Sequence, residues 1–201
     1  MKYQLNPTYR PFYQLPFCCV PATIQWILYR HNLDIIDQEM IGYELGLRLP
    51  KKVSYFFSNP DLKYYPNNVT IQWGTQIFTK GYTINDFFKK YNIPFRISKQ
   101  HYFDNKQDLR RFLINNLKNN NDIILRLNNK LLNKDKKGCG HFSLIIQYDS
   151  NNRIITIGDP NPAFYKQMTE DDILYSISDK IDGIQRGLFV IRIKNNVLVT
   201  K

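Results

Sequence analysis

Residues 14–31, QLPFCCVPATIQWILYRH, decide the fold. Apolar residues recur in this stretch at helical spacing, at Ile24, Ile27 and Leu28. Pro21 suits the first turn of a helix, because the first N–H groups of a helix have no partner within it. The stretch therefore predicts a loop that leads into a buried helix.

Two adjacent cysteines stand where this helix is predicted to begin. A thiol in the first turn of a helix lies near about half a positive charge from the helix macrodipole, which favours the thiolate. Cys19 is the better candidate for a nucleophile, and Cys18 is the bystander. The structural alternative is that each cysteine is a small buried apolar residue.

The length of 201 residues and the 43% content of hydrophobic residues predict one compact domain over residues 1–201. The first residues carry prolines and polar groups where a signal peptide needs an apolar run. No later apolar run approaches the roughly 18 residues of a membrane span. The sequence thus predicts a cytoplasmic protein without a membrane span, and export without a cleaved signal stays open.

The net charge of +11 raises nucleic acid or an anionic surface as a partner. The lysines are spread along the chain, however, and no nucleic-acid-binding motif accompanies them, which argues against nucleic acid. A basic loop, Asn128 to Lys137, leads towards His141 and predicts an acidic substrate or partner. The test is to neutralise Lys134, Lys136 and Lys137 and to compare the salt dependence of binding.

The cysteine content argues against both a disulfide framework and a metal site. Three cysteines, two of them adjacent, are too few for the disulfide framework of a small secreted protein. Cys18, Cys19, Cys139 and His141 are the residues that could hold zinc, but no Cys-x-x-Cys pair is present. We therefore expect no metal and no cofactor.

Helix signals dominate the first half of the chain and strand signals the second. Helix caps are predicted at Asp37, Thr83, Asp104 or Asn105, and Thr169. The predicted helices end near residues 45, 91, 117 and 177, and the predicted strands cover residues 93–98, 122–127, 141–148, 153–157 and 187–193. Residues 51–82 give only loops and a short helix. The pattern predicts an α+β fold with an antiparallel sheet.

Two chemically useful side chains are predicted to meet in one hairpin. His141 opens the strand that precedes the turn Asp149-Ser-Asn-Asn152, and Asp159 closes the strand that follows it. The start of one strand of a hairpin lies beside the end of the other, so Asp159 should lie close to His141. His31 and His101 have no comparable partner nearby in the sequence.

These motifs resemble those of the C39-like branch of papain-fold cysteine peptidases. Cys-Val-Pro-Ala, residues 19–22, is similar to the Cys-Gly-Pro-Ala that opens the family's active-site helix. Gln14 before the cysteine, Gly-His-Phe at 140–142 and Asp-Pro at 159–160 follow in the family's order. The resemblance implies a papain-like fold, in which an N-terminal helical half carries the cysteine and a C-terminal antiparallel sheet carries the histidine and aspartate.

Each candidate residue would have its own role in thiol catalysis. Cys19 would attack a carbonyl carbon, His141 would hold and return the proton, and Asp159 would orient the imidazolium. The backbone N–H of Cys19 and the side-chain amide of Gln14 would form the oxyanion hole. Two positions depart from the family: Gln14 stands five rather than about six positions before the cysteine, and Val20 replaces a glycine.

The sequence favours a stand-alone cysteine peptidase that hydrolyses a peptide or isopeptide bond in a peptide or protein substrate. The same residues would also serve a thioester-forming acyltransferase or a deamidase, and the sequence does not separate these activities. A non-catalytic binding module on a peptidase-like scaffold is the third reading. Comparing the alkylation rates of the cysteines discriminates it from the first two.

Overall fold

The structure is a computed structural model that describes residues 1–69, 71–75, 78–79, 81–130, 140–178 and 186–194. Cys139 and residues 131–137 of the predicted basic loop, with the three lysines named above, lie outside the described residues.

The helices begin where the sequence predicts caps. The side chains of Asp37, Thr83 and Asn105 each accept a hydrogen bond from the backbone N–H three residues ahead, and Thr169 does the same for Asp172. The described α-helices are α1 (Cys19–Arg30), α2 (Gln38–Glu44), α3 (Ile84–Lys90), α4 (Lys106–Lys118) and α5 (Glu170–Ser178). Within the described ranges, none of them has the length and apolar character needed to cross a membrane.

Most of the strands form one antiparallel sheet, as predicted. The strands are β1 (Lys2–Gln4), β2 (Arg48–Pro50), β3 (Lys63–Tyr65), β4 (Phe78–Thr79), β5 (Tyr82–Thr83), β6 (Phe95–Ile97), β7 (Asp122–Asn128), β8 (Gly140–Asp149), β9 (Ile154–Pro160), β10 (Ala163–Thr169) and β11 (Gly187–Ile193). The main sheet has the order β10-β9-β8-β7-β11-β6, and β1 pairs with β8 outside this path. Its neighbouring strands are all antiparallel.

The longest strand, β8, organises the sheet. On one edge β7 pairs with its first part, from Gly140 to Ile145, and β1 pairs with its last part, from Gln147 to Asp149. On its other edge lies β9, with a bulge between Ile145 and Gln147. The start of the chain therefore completes the sheet next to the strand that carries His141.

The division into a helical first half and a stranded second half is only partly right. Both β1 and β6 come from the first half of the chain, and α5 comes from the second. The sequence also gives no signal for β10, an edge strand in which Met168 is the one fully buried side chain. An edge strand of this kind lacks the apolar alternation by which strands are recognised. β9 also runs on to Pro160, beyond the predicted end at residue 157.

The segment that the sequence left open, residues 51–82, contains short elements in its described part. Residues Lys51–Phe56 form a 3₁₀ helix. β3 pairs in parallel with β2, which lies just before this segment. β4 and β5 pair antiparallel in a separate two-stranded sheet. These pieces are too short for periodicity to reveal them.

The predicted helix over the opening stretch is α1, and it is buried on nearly every side. Ten of its twelve residues are buried, and it packs against α2, β8 and β9. A Cβ added to Gly158 would lie 2.6 Å from Trp26 Cζ3, so only a glycine permits this close approach of β9 to the helix. The residue after Gly158 is Asp159, so the end of β9 that carries this carboxylate packs directly against α1.

Candidate active site

A tight turn delivers the two cysteines to the start of α1. The backbone N–H of Cys18 donates to the carbonyl of Leu15 at 3.0 Å, with Pro16 and Phe17 between them. Phe17 has φ +65°, as the third residue of a type II turn requires, and proline favours the position before it. Cys19, half-buried, is the first residue of α1.

The turn sends the two thiols into different surroundings. Cys18 is fully buried and packs with Leu47, Leu49 and Leu62 in a small apolar cluster. Burial raises the pKa of the Cys18 thiol, and the nearby charges of Cys19 and Glu39 raise it further. The raised pKa favours the thiol form of Cys18, the cysteine that the sequence indicates as the bystander.

The structure brings His141 and Asp159 together, as the hairpin predicts. Nε2 of His141 and Oδ1 of Asp159 are 2.8 Å apart, and both side chains are buried. Asp159 also accepts hydrogen bonds from the backbone N–H of Asn161 at 2.7 Å and from the hydroxyl of Ser143 at 3.4 Å. The two donors hold the carboxylate in place. Because Nε2 of His141 is bonded to this carboxylate, Nδ1 is the ring nitrogen that can interact with a thiol.

Cys19, from the first half of the chain, interacts with the His141 ring through a hydrogen bond and through its charge. Burial would lower the pKa of His141, but hydrogen bonding to Asp159 and Cys19, together with their charges, raises it from 6.5 to about 10. The protonated imidazole is thus the form that the folded protein stabilises. A cationic imidazole beside a thiol is the arrangement that favours a thiolate.

We expect the His141 ring to stay protonated through neutral pH and to lose its proton only as the pH rises towards about 10. The measurement is a pH titration of the histidine ring signals by NMR. Asp159→Asn should move the pKa of His141 downwards, because burial remains while the charge of its partner is gone. His101 is the internal control: burial and the charge of Arg192 lower its pKa, so it should titrate below 6.5. A His141 that also titrates at or below 6.5 contradicts this account.

Gln14 lies beside the strand that carries Asp159. Its backbone N–H donates to the carbonyl of Pro160 at 3.0 Å. Its side-chain Oε1 is buried and has no hydrogen-bond partner among the described residues. The segment before Cys19 and the end of β9 are therefore joined, and the Gln14 amide lies in that junction.

Gln38 is a residue of this region that the sequence analysis missed. Its Oε1 accepts from the backbone N–H of Leu15, and its Nε2 donates to the carbonyl of Tyr13 and to Oε1 of Gln25, at distances of 2.7, 2.8 and 3.0 Å. This buried side chain fixes the loop on both sides of Gln14. No sequence signal reveals it, because Gln38 reads as an ordinary first residue of α2.

A second His–Asp pair lies at the far end of α1. Nε2 of His31 and Oδ2 of Asp122 are 2.7 Å apart, and Asp122 also pairs with Arg30 at 2.9 Å and accepts from the hydroxyl of Tyr9. A helix of twelve residues is about 18 Å long, so this pair is remote from Cys19. We interpret it as a structural ionic network, although the sequence indicated no partner for His31.

The residues weighed as a zinc site are not seen together. Of that set, Cys139 lies outside the described residues, and Cys18 points into its apolar cluster. In the described part of the chain, no group of three or more His, Cys, Asp or Glu side chains is placed to hold a metal ion.

Comparisons with known proteins find similar chains among the solved structures. No family model matches the sequence, and no curated protein matches it. The crystal structure of xylellain, a cysteine protease from Xylella fastidiosa, is similar to this chain with 13% sequence identity and a TM-score of 0.46. The match covers 96% of this chain and 85% of that one. A function for this chain has to be inferred from its own side chains.

Proposed function

We propose that this chain is a cysteine peptidase with Cys19 as the nucleophile, His141 as the general acid and base, and Asp159 as the residue that orients the imidazole. The observation that carries the proposal is a chain of hydrogen bonds. The half-buried Cys19 thiol at the start of α1 is a hydrogen-bond partner of the buried His141 ring, and Nε2 of that ring is bonded to the buried Asp159 carboxylate. A nucleophile, a base and an orienting group in series are the minimum set for thiol catalysis.

The first half of the reaction forms a thioester. The Cys19 thiolate attacks the carbonyl carbon of the scissile bond, and the resulting oxyanion is stabilised by hydrogen-bond donors. The backbone N–H of Cys19 belongs to the first turn of α1, where N–H groups have no partner within the helix. The Gln14 amide is the second donor. His141 then gives its proton to the departing amine, and the C–N bond breaks.

The second half of the reaction returns the enzyme to its starting state. Neutral His141 takes a proton from a water molecule, and the hydroxide attacks the thioester carbon. The C–S bond breaks, the acid product leaves, and the thiolate and the imidazolium are restored. Asp159 keeps its charge throughout, and its bonds from Ser143 and Asn161 keep it from turning away.

We place the chain with the papain-like fold and, within it, with the C39-like branch. The support is the order of the motifs in the sequence, together with an antiparallel sheet that carries His141 and Asp159 and a buried helix that begins with Cys19. The substrate is a peptide or protein, and the bond is a peptide or isopeptide bond. Val20, where the family has glycine, lies buried beside the thiol.

The proposal predicts that Cys19 reacts with iodoacetamide at pH 6 at least about tenfold faster than Cys18. The two thiols differ because one faces His141 and the other lies in an apolar cluster. The measurement is the rate of alkylation by mass spectrometry in the wild type, Cys19→Ala, Cys18→Ala and His141→Ala.

The rapid reaction should vanish in Cys19→Ala and persist in Cys18→Ala. In His141→Ala it should require a higher pH, because the imidazolium that favours the thiolate is gone. Equal rates at Cys18 and Cys19 in the wild type would instead support a non-catalytic binding module.

The products then decide which thiol chemistry the site performs. Hydrolysis of a peptide or isopeptide bond adds one water molecule across it and yields two fragments. Acyl transfer joins a fragment to an added amine or alcohol, and deamidation changes a glutamine to a glutamate without breaking the chain. Mass spectrometry of peptides incubated with the wild type and Cys19→Ala separates these outcomes, and fragments without an added acceptor support the peptidase.

A further inference from the structure

A half-buried arginine lies next to the candidate site and takes no part in the chemistry described above. Arg126 is on β7, directly opposite Phe142, the neighbour of His141, and its guanidinium carbon lies 5.5 Å from the centre of the Phe142 ring. On the other side of β7, Arg126 faces Gly187 of β11. Arg126 thus lies inside the sheet, on the strand that pairs with the one carrying His141.

Within the described ranges no carboxylate forms an ion pair with the guanidinium of Arg126, and its buried Nε has no hydrogen-bond acceptor. A buried N–H donor without an acceptor costs folding free energy, because water no longer solvates it. Such a residue is most easily explained by a partner that arrives from outside the chain.

A second arginine, Arg186, lies close to Arg126. Burial lowers the pKa of Arg126 to about 10, and the charge of Arg186 contributes in the same direction, whereas the charges of Tyr102 and Cys19 oppose it. Arg186 is itself fully buried, and a Cβ added to Gly140 would lie 3.2 Å from its guanidinium carbon. Two arginines therefore lie close to the start of β8, where His141 stands.

Arg126 also lies within electrostatic range of the candidate nucleophile. The charges of Cys19 and of Tyr102, which is 48% exposed, both raise the pKa of the guanidinium. Arg126 itself is only half-buried, so part of the side chain faces solvent. A ligand that reaches Cys19 from solvent therefore also comes within range of Arg126.

We propose that Arg126 forms a substrate subsite beside Cys19 that receives a carboxylate of the peptide. This inference rests on the proposed peptidase function and adds the chemical class of group that the site prefers. A carboxylate supplies the missing negative charge and accepts two hydrogen bonds from a planar guanidinium. The carboxylate comes either from an acidic side chain near the scissile bond or from the terminus of the peptide.

The subsite can be tested without a known substrate, by comparing two reagents that differ in charge. Iodoacetate carries the carboxylate and iodoacetamide does not, and both alkylate the same sulfur. The ratio of the rate with iodoacetate to that with iodoacetamide at Cys19 should fall about tenfold in Arg126→Gln and in Arg126→Met. The methionine variant keeps an unbranched stem to pack over Phe142, so it also serves if the glutamine variant folds poorly.

Two further variants control for charge. Arg126→Lys keeps the cation and should hold the ratio within about threefold of the wild type, because attraction to the carboxylate persists. Arg111→Gln removes the same charge from an exposed arginine of α4 and should leave the ratio unchanged. A ratio that is the same in the wild type, Arg126→Gln and Arg126→Met overturns the subsite.

Peptides then identify the source of the carboxylate. One pair differs only by Glu or Gln beside the scissile bond, and a second pair ends in a free acid or an amide. In one of the pairs the acid form should have the higher kcat/KM in the wild type, and Arg126→Gln should abolish that preference. No preference in either pair overturns the subsite.

The failures of the two proposals have different signatures. If Cys19 reacts rapidly with iodoacetamide but the ratio of the iodoacetate rate to the iodoacetamide rate does not change in the Arg126 variants, the subsite is wrong and the peptidase proposal is unaffected. A Cys19 that reacts no faster than Cys18 with either reagent removes the peptidase and the subsite together.

Discussion

Replacing His141 with alanine is expected to lower the rate of peptide hydrolysis by about 10⁴-fold or more. The imidazole has two tasks in the proposed reaction, since it favours the Cys19 thiolate and then protonates the leaving amine. Its ring is the hydrogen-bond partner that Cys19 and Asp159 share. The measurement is kcat/KM on a peptide that the wild type cleaves, at matched amounts of folded protein.

The second histidine supplies the matched control for this experiment. His31 is also hydrogen-bonded to an aspartate, Asp122, but it lies at the far end of α1. His31→Ala should therefore destabilise the protein and leave kcat/KM of the folded fraction close to that of the wild type. Equal losses of kcat/KM in His141→Ala and His31→Ala would show that the effect on His141 is structural, and they would contradict its catalytic role.

Replacing Asp122 with asparagine is expected to lower the free energy of unfolding by about 3–5 kcal/mol. Asp122 is the common partner of Arg30, His31 and Tyr9, and its side chain is 2% exposed. The asparagine keeps the shape and removes the charge, so the fully buried Arg30 guanidinium loses its counterion. Removal of one partner of a buried pair costs more than the pair contributes, because an uncompensated charge is left behind.

An exposed ion pair provides the comparison for Asp122. Asp171 pairs with Lys106 at 2.7 Å, but its side chain is 72% exposed. Asp171→Asn should cost less than about 1 kcal/mol, since solvent already screens that interaction. Chemical denaturation followed by circular dichroism measures both variants. A cost for Asp122→Asn no larger than that for Asp171→Asn would mean that the network does not support the fold.

The sequence was sufficient wherever neighbours in space are also neighbours along the chain. Turn residues between two apolar runs predicted the β8–β9 hairpin, and the hairpin alone placed Asp159 beside His141. Helix caps at Asp37 and Thr83 are likewise read from three or four consecutive residues. In each of these cases one short segment contains both partners of the interaction.

The sequence was insufficient where partners come from distant segments. The side chain of Gln38 holds the loop before Cys19, and Asp122 binds the end of α1, yet neither lies in a recognisable motif. Arg126 interrupts the apolar run from Ile123 to Leu127, but only the strand pairing shows that it lies opposite Phe142, the neighbour of His141. β1 was missed because three residues at a sheet edge carry no periodicity.

The contacts of the candidate site differ in how far apart their partners lie along the chain. His141 and Asp159 are 18 residues apart and meet as soon as one local turn closes, whereas Cys19 must arrive from more than half the chain length away. Contacts across such long separations form late, because closing a long loop costs conformational entropy before the contact can stabilise the structure. The His141 imidazole can therefore meet the Asp159 carboxylate before the Cys19 thiol reaches it. In the proposed peptidase, activation of the Cys19 thiol therefore depends on this long-range contact.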